Sequence, residues 1–514
     1  MLWIGLLGFV VDWRGAAIIS AAISLGGWVV WWRTQPKTPL STRSLSGWER
    51  GAVIVILILA GLILFNAIYW PFGIADAVTI YATFGKQIAQ TGRLPTGTLY
   101  ETYPMLVPLM YAFTHQAAGW INEYLAASIP ALLSLDIIGV AYLLGTELYN
   151  RKVGITAALL IALAPMFTHW ASVGYVDLPA GFFYGLAAVF LLRLERTQAW
   201  SDALLMGIMS GLAAWTKNSG LLILPTFGLW IGYRLVTRQT ISVRLYAISV
   251  AAFAAVAGPW YARNLILAGV IIPPTGWISQ AQRTLANLFP YIVDTRYGLV
   301  GWVFTLGILW IGWKVVRAED RAASRFLLIF FLPFFAIWWA LFSYDGRFLL
   351  VLTAFVAVIG AYLVQELVQR IPARFAMVLA IGVLILSLFA ASAAVDFKFD
   401  ILRHPLMSDA AKHELRLGTD RYQMALYLRT LPTGAHVWTQ DLMLPYQADG
   451  IVMTVGEWPT AAQLANYEYW VLSPNDLKSN TCTAAPLHVQ GEYTLYRVSD
   501  ILQSGHWVCT FGPQ

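Results

Sequence analysis

Cysteine is scarce in this sequence: Cys482 and Cys509 are the only two in 514 residues. A disulfide framework, a zinc ribbon and an iron–sulfur site each need more cysteines at set spacings, so all three are excluded. Histidine is almost as sparse, at seven residues, and no Cys- or His-rich metal spacing occurs. Charge is scarce too. Asp, Glu, Lys and Arg make up 12% of the chain, against roughly 25% in soluble proteins. That shortage rules out an ordinary soluble globule and a disordered chain. The net charge of +6 gives no nucleic-acid surface, because the basic residues lie in short loops between apolar runs instead of on one patch.

What the chain has is apolar length. Hydrophobic residues make up 59% of it, more than a soluble core can bury, since surface grows too fast with size. Repeated runs approach the roughly 20 helical residues that cross a hydrocarbon layer. Spans are expected at 15–32, 51–70, 124–148, 153–170, 179–194, 203–216, 218–235, 246–262, 298–313, 326–343, 348–366 and 375–394, with residues 1–12 as a further short candidate. Asp12 and Arg14 are followed by another apolar run, not by the small-residue site of a cleaved signal peptide. The 23 Trp and 24 Tyr suit interfacial belts. The fold class is therefore a polytopic α-helical membrane protein of about 11–13 transmembrane helices.

Charge sets the topology. One set of loops holds Arg33, Lys37, Arg43 and Arg50; Arg151 and Lys152; Arg193 and Arg196; Arg234, Arg238 and Arg244; Lys314, Arg317, Arg321 and Arg325; and Arg370 and Arg374. Basic loops stay cytoplasmic. The opposite set, poorer in basic residues, should face outward. Residues 1–50 read as one or more N-terminal membrane segments and a basic loop, and 51–394 as the main transmembrane domain with a long first outer loop, 71–104. The apolar stretch 104–119 spoils the alternation if it crosses, so it is expected to be juxtamembrane or half-inserted. From 395 to 514 the chain turns polar, with short runs at 435–438 and 469–472, and reads as a small α/β or α+β domain outside the membrane. There Cys482 and Cys509 either bridge or remain thiols.

The outer loops hold the chemistry. Asp76 and Glu101 lie in the first, and Asp177 in Gly174-Tyr175-Val176-Asp177-Leu178-Pro179. A carboxylate at a membrane–water boundary suits a general base, although an Asp ahead of a helix is equally a cap. His169 is a second base or an interfacial ring. Lys217 is costly at membrane depth without a partner, unless it snorkels. Arg263 and Arg347 suit phosphate, or anchor to lipid head groups. Asp136, inside a span, is either functional or hydrogen-bonded structural glue.

In order and spacing these segments resemble the GT-C membrane glycosyltransferases, in particular the dolichyl-phosphate-mannose protein mannosyltransferases and the bacterial lipid A aminoarabinose transferases. The stretches that carry the resemblance are Asp76-Ala77, Gly92-Arg93-Leu94-Pro95, Tyr103-Pro104-Met105-Leu106, Tyr175-Val176-Asp177-Leu178-Pro179, Thr216-Lys217, Pro259-Trp260-Tyr261-Ala262-Arg263-Asn264 with Pro273, and Asp345-Gly346-Arg347-Phe348. They fall between about residues 50 and 370. The tail resembles no known module.

The resemblance implies transfer of a sugar from a polyprenyl-phosphate donor to a protein, glycolipid or polysaccharide acceptor, on the outer face of a cell (plasma or inner) membrane. It implies Asp76 as general base in an inverting displacement, with Asp177 and Glu101 assisting. Lys217, Arg263 and Arg347 would hold the departing lipid phosphate. A divalent cation stays open, with Asp177 and His169 as its candidate ligands. One departure bears on the acceptor. The aminoarabinose branch has Lys after the loop Glu, and here Thr102 follows Glu101, which argues against lipid A. The alternatives are a transporter or flippase of a lipid-linked sugar, which should show paired halves or helices broken at the midplane, and a non-catalytic scaffold.

Overall fold

A computed structural model describes residues 10, 12–34, 44–96, 100–272, 279–317, 319, 321–394, 406–456, 458–473, 480–481, 484–503, 506–507 and 510–511. Cys482, Cys509 and Pro273 lie outside the described residues. The chain folds into long helices because hydrocarbon offers backbone N–H and C=O groups no partner outside the segment itself.

The long helices are α1 (Trp13–Thr34), α2 (Gly47–Tyr69), α5 (Glu123–Leu148), α6 (Arg151–Leu163), α8 (Asp177–Thr197), α9 (Trp200–Thr216), α10 (Ile223–Val236), α11 (Val243–Ala268), α12 (Gly298–Val316), α13 (Arg321–Leu341), α14 (Thr353–Val368) and α15 (Ala373–Ala394). Shorter ones are α3 (Thr83–Thr91), α4 (Leu106–Ala118) and α7 (Pro165–Ala171). Among the described residues, eight helices are individually long and apolar enough to cross a membrane, and nine if α6 and α7 form one span. Two of the twelve expected runs fall short of that measure for local reasons. Pro165 breaks the run 153–170 into α6 and α7, bent by 69°; proline has no N–H to continue the ladder. Helix α9 has 17 residues, about 25 Å at 1.5 Å per residue. It nevertheless runs the length of the bundle, since Asp202 at its start pairs with Arg193 and Lys217 just past its end pairs with Asp177.

The bundle has two chemically different ends. One carries the basic loops, partly neutralised by Arg151–Glu49 at 3.2 Å, Arg193–Asp202 at 3.2 Å and Lys314–Glu319 at 2.8 Å. The opposite end, here the site end, carries Asp76, Asp177, Lys217 and Arg347. Helix α4 does not cross. Residues 72 and 123 flank the whole first loop, and the Phe72 N–H donates to Glu123 at 3.1 Å, so the chain leaves and re-enters at the same end. Residues 104–119 thus stay at one end of the bundle.

Helices sort by depth in the bundle. The segment Gly346–Val368 is 83% buried, whereas Asn218–Val236 is 22% buried and turns apolar side chains outward to lipid. Helices α9 and α11 approach closely through glycines four residues apart. A Cβ on Gly207 would lie 2.2 Å from the Ser249 carbonyl, and one on Gly211 would lie 2.7 Å from Val256. Small residues at such spacing let helix backbones meet in a membrane.

The tail forms helices α16 (Asp409–Leu417) and α17 (Thr419–Leu428) and a five-stranded mixed sheet. Its strands are β1 (His436–Thr439), β2 (Val452–Val455), β3 (Tyr469–Leu472), β4 (His488–Gln490) and β5 (Tyr493–Arg497), in the order β2-β1-β3-β5-β4. Strands β1 and β3, both legible as alternating runs, pair in parallel with Val437 opposite Tyr469. This region sits on the site end. His413 Nε2 lies 2.6 Å from Glu123, Lys412 Nζ stands 4.0 Å above the Tyr69 ring, and Lys86 pairs with Asp449 at 2.6 Å.

Candidate active site

Four sequence-predicted residues meet at the site end. Asp76 follows the loop after α2 and opens a π-helix, Ala77–Ala82; such turns concentrate at functional sites. Asp177 is the first residue of α8 and Lys217 directly follows α9. Arg347 opens the 3₁₀ turn Gly346–Leu352 that leads into α14. Arg347 lies between the acids. It is 3.1 Å from Asp76 Oδ2 and 3.8 Å from Asp177 Oδ2, and Lys217 forms an ion pair with the other Asp177 oxygen.

The two acids differ in access. The Asp177 side chain is 1% exposed and that of Asp76 is 41% exposed. Asp177 is thus held between two cations, whereas Asp76 faces an open space. Aromatic rings shape the cations' positions. The Arg347 guanidinium lies 4.5 Å from the Tyr175 ring and 5.2 Å from that of Trp170, and Lys217 Nζ lies 4.4 Å from that of Phe348. These faces attract cations while excluding water.

Phenols to which the sequence reading gave no role surround Asp76. The Tyr175 hydroxyl accepts from the Asp76 backbone N–H at 3.3 Å. Burial, reinforced by the Asp76 carboxylate, pushes the Tyr103 phenol up to about 12. The same causes raise Tyr81, Tyr100 and Tyr175. These groups stay protonated and can donate hydrogen bonds to an oxyanion. With 24 tyrosines in the chain, only proximity in the fold distinguishes them.

Arg263 takes a different place from the one expected. It is buried, its guanidinium donating to the carbonyls of Pro95 at 2.7 Å and Glu101 at 3.2 Å. The neighbouring Asn264 donates to the Thr102 carbonyl at 2.9 Å. The end of α11 therefore staples the first loop through its backbone, with the terminal nitrogens of Arg263 turned to the Pro95 and Glu101 carbonyls. Glu101 belongs to this second group through its carbonyl, beside Arg263. The His169 ring packs edge-on against Trp170 at 5.0 Å. A divalent cation does not fit Asp177, since Lys217 and Arg347 already place two positive charges on that carboxylate. Among the described residues, no group of three or more His, Cys, Asp or Glu is arranged to hold a metal. Asp136 lies on an outward face of α5 beside exposed Leu132, away from the cluster.

Residues 102–261 match the family model described as dolichyl-phosphate-mannose-protein mannosyltransferase. That segment contains Asp177 and Lys217. No curated protein sequence matches the chain. Among solved structures, ArnT from Cupriavidus metallidurans bound to undecaprenyl phosphate aligns with a TM-score of 0.64 and 16% identity, over 92% of this chain and 100% of that one. The Archaeoglobus fulgidus oligosaccharyltransferase aligns with a TM-score of 0.56 and 14% identity, over 82% of this chain and 69% of that one. The mycobacterial arabinofuranosyltransferase AftD gives 0.55 and 15%, over 90% of this chain and 40% of that one. The chain has the GT-C fold, a multi-pass membrane architecture, and it resembles the mannosyltransferase and ArnT branch of that fold.

Proposed function

We propose that this protein transfers a sugar from a polyprenyl-phosphate carrier to an acceptor hydroxyl, at the outer face of a cell membrane. The observation that carries this reading is the pairing of one buried and one accessible carboxylate around a single arginine. Asp177 keeps Lys217 and Arg347 in place, and Asp76 stays within reach of an incoming hydroxyl. The outward orientation is supported by the basic loops at the opposite end of the bundle.

In the proposed reaction the acceptor oxygen attacks the anomeric carbon from the side facing Asp76. Its proton passes to the Asp76 carboxylate as the bond from that carbon to the phosphate oxygen breaks. The electron pair leaves with the phosphate, and one displacement inverts the anomeric centre. Arg347 and Lys217 stabilise the departing phosphate, in a water-poor site where fixed charges act most strongly. An arriving phosphate competes with Asp76 for Arg347, so donor binding itself frees the base. Tyr103 and Tyr175 add neutral donors. Arg263, with Glu101 beside it, holds the first loop in the shape that places Asp76. The carrier is proposed by analogy with ArnT, whose structure binds undecaprenyl phosphate, and with the archaeal oligosaccharyltransferase, whose structure holds a dolichol-phosphate.

The test is donor cleavage by purified protein in nanodiscs, against a panel of radiolabelled polyprenyl-phosphate sugars with membrane extract as acceptor. Release of polyprenyl phosphate together with labelled product of inverted anomeric configuration is expected. Movement of intact donor between leaflets without cleavage would favour the flippase instead.

A further inference from the structure

A cleft of about 390 Å³ separates the first loop from the tail domain. One wall is the π-helix and α3, and the other is the segment 442–455, including strand β2. The cleft lies near the base, whose charge acts on the lining residue Tyr100. Thr79 lines it three residues beyond Asp76, and Tyr100 lines it while packing edge-on against Tyr103 at 5.3 Å. Tyr100 is held at φ 67°, a conformation that bulky side chains rarely adopt and that tends to mark functional sites.

The lining has little net charge. Its charged side chains, Lys86 and Asp449, pair with each other at 2.6 Å, and Lys86 also donates to the Tyr446 carbonyl at 2.5 Å. Arg429, outside the lining, takes the other Asp449 oxygen at 3.4 Å. The lining mixes apolar side chains, among them Phe84, Leu442 and Met453, with neutral polar ones: Gln87, Gln90, Thr83, Thr454 and Tyr100. Amides offer two donors and an acceptor, and hydroxyls offer both, which matches the vicinal hydroxyls of a sugar. Aromatic rings suit its C–H faces. Among the described residues, an anionic head group would find no unpaired cation in this lining. An extended peptide would pair through main-chain bonds with β2, the edge strand on the outer wall; the wall on the Asp76 side is helical and presents side chains, which favours the glycan.

We propose that this cleft binds the acceptor as an uncharged glycan, with the tail domain as its outer wall and one acceptor hydroxyl delivered to Asp76. The proposal rests on the transferase reading and adds the chemical class of the acceptor. The test uses the full chain in nanodiscs with a cleavable polyprenyl-phosphate sugar. Three acceptor preparations are compared: neutral oligosaccharides from bacterial envelope polysaccharide, anionic glycolipids, and unfolded protein. Label is expected on the neutral oligosaccharides. The double variant Gln87→Ala, Gln90→Ala should raise their KM about tenfold, as loss of one or two hydrogen bonds implies, and should lower the ratio of transfer to donor hydrolysis in proportion. Tyr100→Phe, which keeps the ring and the fold, should shift KM in the same direction by less. Label on protein or anionic lipid, an unchanged KM, or an equal fall in hydrolysis and transfer would each overturn the proposal. If wild-type protein cleaves no donor at all, the transferase reading fails, and this inference fails with it.

Discussion

Asp177 is the residue whose removal should cost most, because of what it leaves behind. Its carboxylate is 1% exposed, and the side chains of Arg347 and Lys217 are 11% and 17% exposed. Replacing Asp177 with Ala strands Lys217 among low-dielectric surroundings and leaves Arg347 with Asp76 and Asp345 alone. Removing one partner of a buried pair typically costs about 3–5 kcal/mol. Asp76 faces the same arginine from a half-open position, and its replacement by Ala should cost about 1 kcal/mol or less, as for exposed pairs. The contrast is measurable by denaturant unfolding in detergent, followed by tryptophan fluorescence. A third variant isolates the cause: Asp177→Leu with Lys217→Met removes both charges and should recover at least half of the lost stability while transfer stays abolished. Equal costs for Asp177→Ala and Asp76→Ala, or no recovery in the double variant, would refute a buried charge cluster at this site.

Arg263→Ala should release the first loop, making bonds near residues 94–103 more susceptible to protease, and should lower transfer at least tenfold with little change in donor affinity; a selective loss of donor affinity would instead mark Arg263 as a phosphate ligand. Docking of the tail should depend on pH through His413. Burial alone would lower the imidazolium's pKa, but the hydrogen bond and charge of Glu123 overcome this and hold it above its ordinary value. The contribution is then fully present below about pH 6.5, the unfolded value, and lost as pH rises through the higher folded value. Hydrogen exchange of α16 should accelerate over that upper window in wild type and lose this dependence in His413→Gln. Gly207→Ala should destabilise the bundle by about 1–3 kcal/mol, measured by the same unfolding assay, because its Cβ would meet the Ser249 carbonyl at 2.2 Å.

Much of this architecture is legible in the sequence because a bilayer imposes it locally. Apolar runs give the helices, and the alternation of basic loops separates the two ends and keeps 104–119 from crossing. The acids and cations that meet at Arg347 stand out because charge is rare in such a chain. What the sequence does not show is which of them meet. The Asp177–Lys217 pair joins residues 40 apart, and Arg263 reaches Pro95 across 168. A guanidinium expected at the outer face, together with the resemblance, made Arg263 a candidate phosphate ligand, and only the fold shows it donating to the carbonyls of Pro95 and Glu101. The bend at Pro165 and the short α9 blur the count of spans, since a length rule sees neither a broken helix nor a thin crossing. Of the phenols around Asp76, Tyr103 and Tyr175 fall in stretches that carry the resemblance, but nothing in the sequence marks any of them as a neighbour of the acid.

The most direct test of the account compares wild type with Asp76→Asn, for transfer from the active polyprenyl-phosphate sugar in nanodiscs. Asparagine keeps the size of the side chain and removes its basicity. A base contributes roughly 10²–10⁴-fold to rate, so transfer should fall by that factor while undecaprenyl phosphate binding and unfolding remain near wild type. Equal transfer by the two proteins would contradict the assignment of Asp76 as the base on which the mechanism depends.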